Sequence, residues 1–295
     1  MKGLLTKAIA GFYYVNIDGL VYECKARGNF RKEGISPLVG DMVEITVDSN
    51  SKGVIEAICP RKNSLIRPAV SNLDKLFIVS SYTTPSPNLF IIDRLTALCV
   101  FHNIKPVIVF NKCDLGDFKD LKEIYEKSGF TTAVVSAQTG EGTDVLKEEL
   151  KNCISAFTGN SGVGKSSLLN VLFPDLCLQT GEVSDKLGRG RHTTRHTELF
   201  AHSFGGYVAD TPGFSSLDSQ LGSLEFKEKL VDCFPDFAEF KDGCRFNDCA
   251  HICEKGCGVC QAVNNGQIQR SRHESYCTLF DELKDLKSWE NSKKR

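Results

Sequence analysis

Gly159, Asn160, Ser161, Gly162, Val163, Gly164, Lys165 and Ser166 satisfy the pattern G-x-x-x-x-G-K-[ST]. The chemistry of that pattern is phosphate binding. Its glycines let backbone N–H groups wrap the phosphates, which also lie at the positive end of the helix that follows, from Ser167 on. Lys165 is placed to reach the β- and γ-phosphates, and the Ser166 hydroxyl to hold Mg2+. The base is chosen elsewhere. Asn111, Lys112, Cys113 and Asp114 match Asn-Lys-x-Asp, in which the carboxylate accepts from the ring N–H and the exocyclic amine of guanine. Adenine lacks that pair of donors and would leave the carboxylate unpaired. Ser136 and Ala137 match the companion element that caps the guanine carbonyl with backbone N–H groups, and Gln138 stands where many GTPases carry lysine.

Two further segments point to the γ-phosphate. Asp210-Thr-Pro-Gly213 matches the Asp-x-x-Gly switch, with Asp210 on magnesium through water and the Gly213 N–H on the γ-phosphate. Between it and the phosphate loop lies the glycine-rich stretch 188–195, where one threonine completes the magnesium shell; Thr194 is favoured and Thr193 stays open. Phe214 occupies the position where many GTPases place a water-orienting glutamine, and a phenyl ring cannot orient water. His192 is the nearest polar substitute, because an imidazole accepts a proton near neutral pH. A solvated switch residue or a phosphate-side donor is the competing reading of His192.

A second constellation is Cys244-x4-Cys249-x-His251-x5-Cys257, three thiolates and an imidazole. This is the ligand set of a closed tetrahedral zinc site, which leaves no position for water and is therefore structural. Cys253 and Cys260 stand within the same stretch, and Cys257-x2-Cys260 is itself a common ligand pair, so their participation stays open.

These residues need a scaffold that places loops at strand ends. From about residue 71, short apolar strands alternate with helices: Leu76–Ser80, a helix over Asn88–Phe101, Pro106–Phe110, a helix around Lys119–Lys127, Thr131–Val135, a helix over Thr143–Leu150, Ile154–Thr158, and later strands near Glu198–Ser203 and Tyr207–Asp210. Apolar strands between helices predict a parallel sheet covered on both faces. Residues 1–70 instead carry short β-rich runs, Ala8–Asn16, Leu20–Ala26, Met42–Val47 and Val54–Cys59, with an Asp18-Gly19 turn; this spacing predicts a small antiparallel barrel. Ten basic against seven acidic residues there fit either a solvated surface or an oligonucleotide-binding one that sets Arg27, Arg31, Lys32, Arg61 and Lys62 near phosphates. The last 75 residues hold the cysteine cluster and a helix with apolar Tyr276, Leu279, Phe280, Leu283 and Leu286 on one face.

Composition sets bounds on function. With 36 basic and 37 acidic residues the net charge is −1, which excludes a protein that grips nucleic acid by bulk charge alone. No apolar run nears the length a membrane helix needs, and Lys7 interrupts the only signal-like stretch, so the expectation is a cytoplasmic chain without a membrane partner. Thirteen cysteines are odd in number; Cys24, Cys59, Cys99, Cys113, Cys153, Cys177 and Cys233 are scattered singly and read as reduced thiols.

The motif order is guanine reader, Ser-Ala, phosphate loop, first switch, second switch, so the domain is circularly permuted relative to ordinary GTPases. The second switch then runs straight into the C-terminal region, where hydrolysis could move it. The barrel, this order, Gly-Arg-His-Thr-Thr at 190–194, Asp-Thr-Pro-Gly-Phe at 210–214 and the Cys-x4-Cys-x-His-x5-Cys spacing together resemble the bacterial small-subunit-dependent GTPases of the RsgA or YjeQ family, over essentially the whole chain. The resemblance implies an OB-fold RNA-binding barrel over 1–70, a circularly permuted P-loop α/β GTPase domain over 71–220 and a zinc-binding helical module over 221–295. It also implies a monomer that turns GTP into GDP, stimulated by the small ribosomal subunit, bound to rRNA near the decoding region late in subunit maturation and released after hydrolysis. By the same resemblance, one Zn2+ falls to Cys244, Cys249, His251 and Cys257, and the family's proposed catalytic histidine falls on His192. The chain departs from the family in its two extra cysteines and in Lys255, where many relatives have proline. A GTP-gated binding module, in which hydrolysis is incidental, is the alternative.

Overall fold

The structure, a computed structural model, describes residues 1–32, 34–48, 52–66, 68–176, 197–209 and 224–284. The described residues fall into two units. The first is made of Met1–Leu76, Thr143–Thr158 and 165–209, the second of Phe77–Gly142, Gly159–Gly164 and 224–284.

The first unit opens with five strands, β1 (Lys2–Ile9), β2 (Phe12–Ile17), β3 (Leu20–Ala26), β4 (Met42–Val47) and β5 (Lys52–Ile58), with a short helix α1 (Asn29–Lys32) after β3. They close into a barrel in the order β1-β2-β3-β5-β4, with β3 and β5 parallel and the other pairs antiparallel, as in an oligonucleotide-binding fold. A bulge between Leu5 and Lys7 breaks the register of β1 against β2 and bends the strand, and β1 pairs with β4 as well. Alternation fills the interior: Leu5, Val15, Cys24, Val43, Ile45 and Ile55 are buried while Glu44 and Thr46 face out. The expected single run Ala8–Asn16 is in fact a hairpin, split where Ala10 and Gly11 both take positive φ. That left-handed pair twists with the strands as tight hairpin turns do, and the apolar residues on either side masked it.

After the barrel come a two-strand ribbon, β6 (Ser64–Leu65) with β7 (Val70–Ser71), and the start of β8 (Lys75–Ser81). The buried Asp41 carboxylate ties this segment to the barrel, accepting from Arg61 Nε and Nη2 at 2.7 Å each and from the Ser71 hydroxyl at 2.6 Å.

A central α/β region draws strands from each unit. Its second-unit part runs β10 (Thr131–Val135), β9 (Lys105–Asn111), β8, with β9 and β10 parallel and joined through helix α3 (Lys119–Lys127). Helix α2 (Leu89–Phe101) precedes β9, capped by the Asn88 side chain, which accepts from the Ile91 N–H. Its first-unit part runs β11 (Ile154–Thr158), β13 (Gly206–Ala209), β12 (Leu199–His202), accompanied by α4 (Thr143–Leu150) and α5 (Lys165–Leu172). β11 and β13 are parallel, but β12 is antiparallel to β13, a correction to the all-parallel sheet expected. Only residues 203–205 separate them, far too few for the crossover that a parallel pair requires.

The C-terminal part of the second unit holds α6 (Leu224–Glu228), three single-turn 3-10 segments, α7 (Gly258–Asn264) and α8 (Arg270–Leu283). α8 buries Tyr276, Leu279 and Leu283 as expected from spacing, together with Arg272 and Ser275. Among the described residues, no helix is long and apolar enough to cross a membrane.

Candidate functional site

β9 is buried along its length after Lys105, and its last residue, Asn111, is 1% exposed. Its side-chain amide joins three loops. Nδ2 donates to the Val163 carbonyl at 2.9 Å, and Oδ1 accepts from the Ala137 N–H at 3.0 Å. The guanine reader, the Ser-Ala element and the phosphate loop are therefore held by one buried group. In the protein alone the Ala137 N–H is engaged in this task. Lys112 turns through a left-handed φ of 67°, and its ammonium donates to the carbonyls of Thr84 at 3.2 Å and Gly162 at 2.9 Å. It acts as a strut under the phosphate loop.

Asp114, in the 3-10 turn Cys113–Leu115, is exposed, and its Oδ1 accepts from the Ser136 hydroxyl at 2.5 Å. Ser136 is fixed in turn, because its oxygen accepts from the N–H groups of Gln138 and Thr139 at 3.2 Å each. The carboxylate is thus aimed before any base arrives. Burial, followed by Glu141 and Asp114, pushes the Cys113 thiol up, which keeps it neutral between two acids.

In the phosphate loop, Gly159, Gly162 and Gly164 all have positive φ. At Gly164 glycine is required twice over: φ is +88°, and a Cβ would stand 2.4 Å from Asn111 Nδ2. Asn160 and Ser161 are exposed and Val163 is buried, so an apolar side chain adds to the anchoring of the loop by Asn111 and Lys112. Helix α5 starts at Lys165, with Ser166 half-buried and Ser167 exposed in its first turn. Desolvation by burial draws the Lys165 ammonium below its ordinary pKa. His192, Thr193, Thr194, Asp210, Gly213 and Phe214, and with them both switches, lie outside the described residues.

The cysteine cluster is assembled as the spacing implies. One ligand atom from each of Cys244, Cys249, His251 and Cys257 lies within 4.8 Å of all the others. Cys244 Sγ is 3.8 Å from Cys257 Sγ and 3.4 Å from His251 Nδ1, and Cys257 Sγ is 3.6 Å from the same nitrogen. A tetrahedron with Zn–S bonds of about 2.3 Å has edges of about 3.8 Å, so the donor set fits zinc. Cys253 is exposed, and neither it nor Cys260 belongs to the four-atom group.

Sequence spacing missed the residues that orient these ligands. His251 takes a left-handed φ of 60°, and its carbonyl lies 2.7 Å from His273 Nε2 of α8; Tyr276 donates to the Ala250 carbonyl at 2.9 Å. The Glu254 carboxylate accepts from the N–H groups of Ala250, Ile252 and Cys253 at 2.9–3.1 Å. Burial would raise its pKa, but these donors and its own N–H outweigh burial and hold it below the ordinary value. The N–H groups of Gly258 and Cys260 point at Cys244 Sγ and Cys257 Sγ, 3.3 and 3.4 Å away, the outer shell that thiolate ligands use. Burial pushes the Cys249 thiol up to about 12 and Cys257 to about 11, and pulls His251 down, so without an ion all three are neutral.

The profile of the RsgA GTPase family matches residues 58–220, and that of the RsgA N-terminal domain matches 2–55. The small ribosomal subunit biogenesis GTPase RsgA of Caldanaerobacter subterraneus subsp. tengcongensis is 45% identical, covering 97% of this chain and 96% of the relative. The protein of the same name from Alkaliphilus metalliredigens is 47% identical, covering 96% and 98%. Among solved structures, the crystal structure of YjeQ from Thermotoga maritima superimposes with a TM-score of 0.81 at 37% identity, over 97% of this chain and 99% of the other. That of YloQ, a circularly permuted GTPase, gives 0.80 at 35% identity, over 97% and 96%.

Proposed function

The chain belongs to the RsgA GTPase family, and from that premise we propose that it hydrolyses GTP to GDP and phosphate on the small ribosomal subunit, late in that subunit's maturation and near its decoding region. The observation that carries the reading is the Asn111 amide, which makes base recognition and phosphate recognition parts of one preset arrangement.

In this reading Asp114 pairs with the guanine N–H and amine, framed by Lys112 and Cys113, and the Ser136-Ala137 loop caps the carbonyl. Gly159 to Gly164, with Lys165, Ser166, Ser167 and Gly213, cradle the phosphates. Lys165 neutralises charge that builds on the transferred phosphoryl group. Ser166, Thr194 and Asp210 would hold Mg2+, which offsets phosphate charge when bound. His192 orients the attacking water. Cys244, Cys249, His251 and Cys257 would hold one zinc ion that stabilises the C-terminal module. Residues 1–70 bind rRNA, 71–220 turn over the nucleotide and 221–295 form the zinc module of a cytoplasmic monomer.

Single-turnover hydrolysis with and without small ribosomal subunits, read against release from the subunit, tests this. The expected result is stimulation of at least about tenfold, a floor well under the roughly thousandfold or more that a supplied arginine contributes at such sites, with release following hydrolysis. His192→Ala should remove most of the stimulated rate and leave GTP affinity nearly unchanged. Equal release with a non-hydrolysable analogue would make the chain a GTP-gated binding module instead.

A further inference from the structure

Arg272 of α8 has no exposed side-chain surface and sits between two carboxylates that are themselves nearly dry. Nη1 donates to Asp93 Oδ1 of α2 at 2.8 Å and to the Thr96 hydroxyl at 3.4 Å. Nη2 and Nε donate to Asp236 Oδ1 and Oδ2 at 2.9 and 3.3 Å. The rings of Phe234 and Phe130 lie 4.7 and 5.2 Å from the guanidinium carbon. A buried set of this kind yields little stability over apolar side chains of equal volume, because desolvation offsets most of the attraction. What the planar, forked cation does fix is orientation.

The helix oriented in this way leads to the nucleotide loops. The segment just before α2 supplies the Thr84 carbonyl that holds Lys112 Nζ, and the same ammonium holds Gly162 of the phosphate loop. Farther along, Ile91, Ile92 and Leu95 of α2 line, with Gly159 and Val163, a cavity of only about 20 Å³. That is room for about one water, so a shift of α2 is passed to the loop with almost no slack.

We infer that Arg272 is a positioning residue of the nucleotide site: through Asp93 it sets α2, and through α2 it sets Lys112 and the phosphate loop. The inference rests on the GTPase reading above. It gives the C-terminal module a route to the nucleotide separate from the chain connection through the second switch. By reciprocity, nucleotide binding tightens α8 by the same amount that α8 tightens nucleotide binding.

The test is hydrogen exchange of the full-length, zinc-loaded chain with and without GDP, alongside steady-state GTP hydrolysis. In the wild type, GDP should slow exchange at least threefold over both 89–101 and 270–283. Arg272→Lys keeps the charge and loses the fork; it should abolish the slowing over 270–283, raise KM for GTP about fivefold and leave kcat within twofold. The apolar triple variant Asp93→Leu/Arg272→Met/Asp236→Leu should melt at or above the wild-type temperature and show the same loss, which decides the matter if Arg272→Lys does not fold. Wild-type coupling and KM retained in whichever variant folds would overturn the inference, as would wild-type α8 exchange indifferent to GDP. Failure of the GTPase reading looks different, since 111–114 and 159–164 would then also show no protection.

Discussion

The nucleotide loops and the cysteine cluster are both built from short irregular segments, yet their side chains are held in opposite ways. Around Asn111, Lys112 and Ser136, each polar group named already has a partner within the chain, and the glycine at 164 leaves room for the closest approach. Around Cys249 and Cys257, burial raises thiols that retain their protons, and only an ion that displaces those protons completes the arrangement. A site that must bind and release in every cycle is preset by the protein, so that little ordering is repeated at each turnover. A site filled once can leave part of its folding free energy to the metal.

The sharpest way to break the contrast is to strip charge from the preset site without disturbing its frame. Lys165→Ala should lower GTP hydrolysis about a thousandfold or more while the chain stays folded, as checked by single-turnover rates and thermal melting. Asp114→Asn should weaken GTP about a hundredfold and favour xanthine nucleotides, whose ring carbonyl replaces the amine; calorimetry with both bases reads this directly. At the other site, chelation should unfold the C-terminal module and leave GDP binding intact, and Cys249→Ser or His251→Ala should each lose the single zinc ion. Zinc binding at pH 7 should release at least two protons, from Cys249 and Cys257, so affinity falls as pH drops. Gly164→Ala forces strain of roughly 1–3 kcal/mol on the Asn111 contact and should weaken GTP about five- to a hundred-and-fiftyfold. The smallest effect belongs to Cys253→Ser and Cys260→Ser, which should keep full zinc by metal analysis.

Sequence reading reached the motif loops because backbone function there demands particular residues at particular spacings. The strand Thr131–Val135 and the helices Lys119–Lys127 and Thr143–Leu150 were likewise legible, since period and flanking polarity agree. The turn at Ala10-Gly11 was not, because only one of its two residues is a usual turn former. The antiparallel β12 was legible but not read, because the expected strands Glu198–Ser203 and Tyr207–Asp210 already left only three residues between them, as the structure does, too few for a parallel crossover. Arg272 left no trace at all: its partner Asp93 lies 179 positions away, and a lone arginine in an amphipathic helix reads as solvated. Glu254 was hidden among the cysteines although it sits three residues after one ligand and three before another.

That separation of 179 positions also sets an order of events in synthesis. At about 5–20 residues per second, Asp93 is made roughly 10–40 s before the cation that neutralises it. Until Arg272 emerges, α2 carries a carboxylate on the face it must bury, and closing that face costs the desolvation of an unpaired charge. A nascent chain that has not reached Arg272 therefore keeps this part of its core open to proteases, and α8 closes it. One arginine thereby ties the protection of α2 to translation past residue 272.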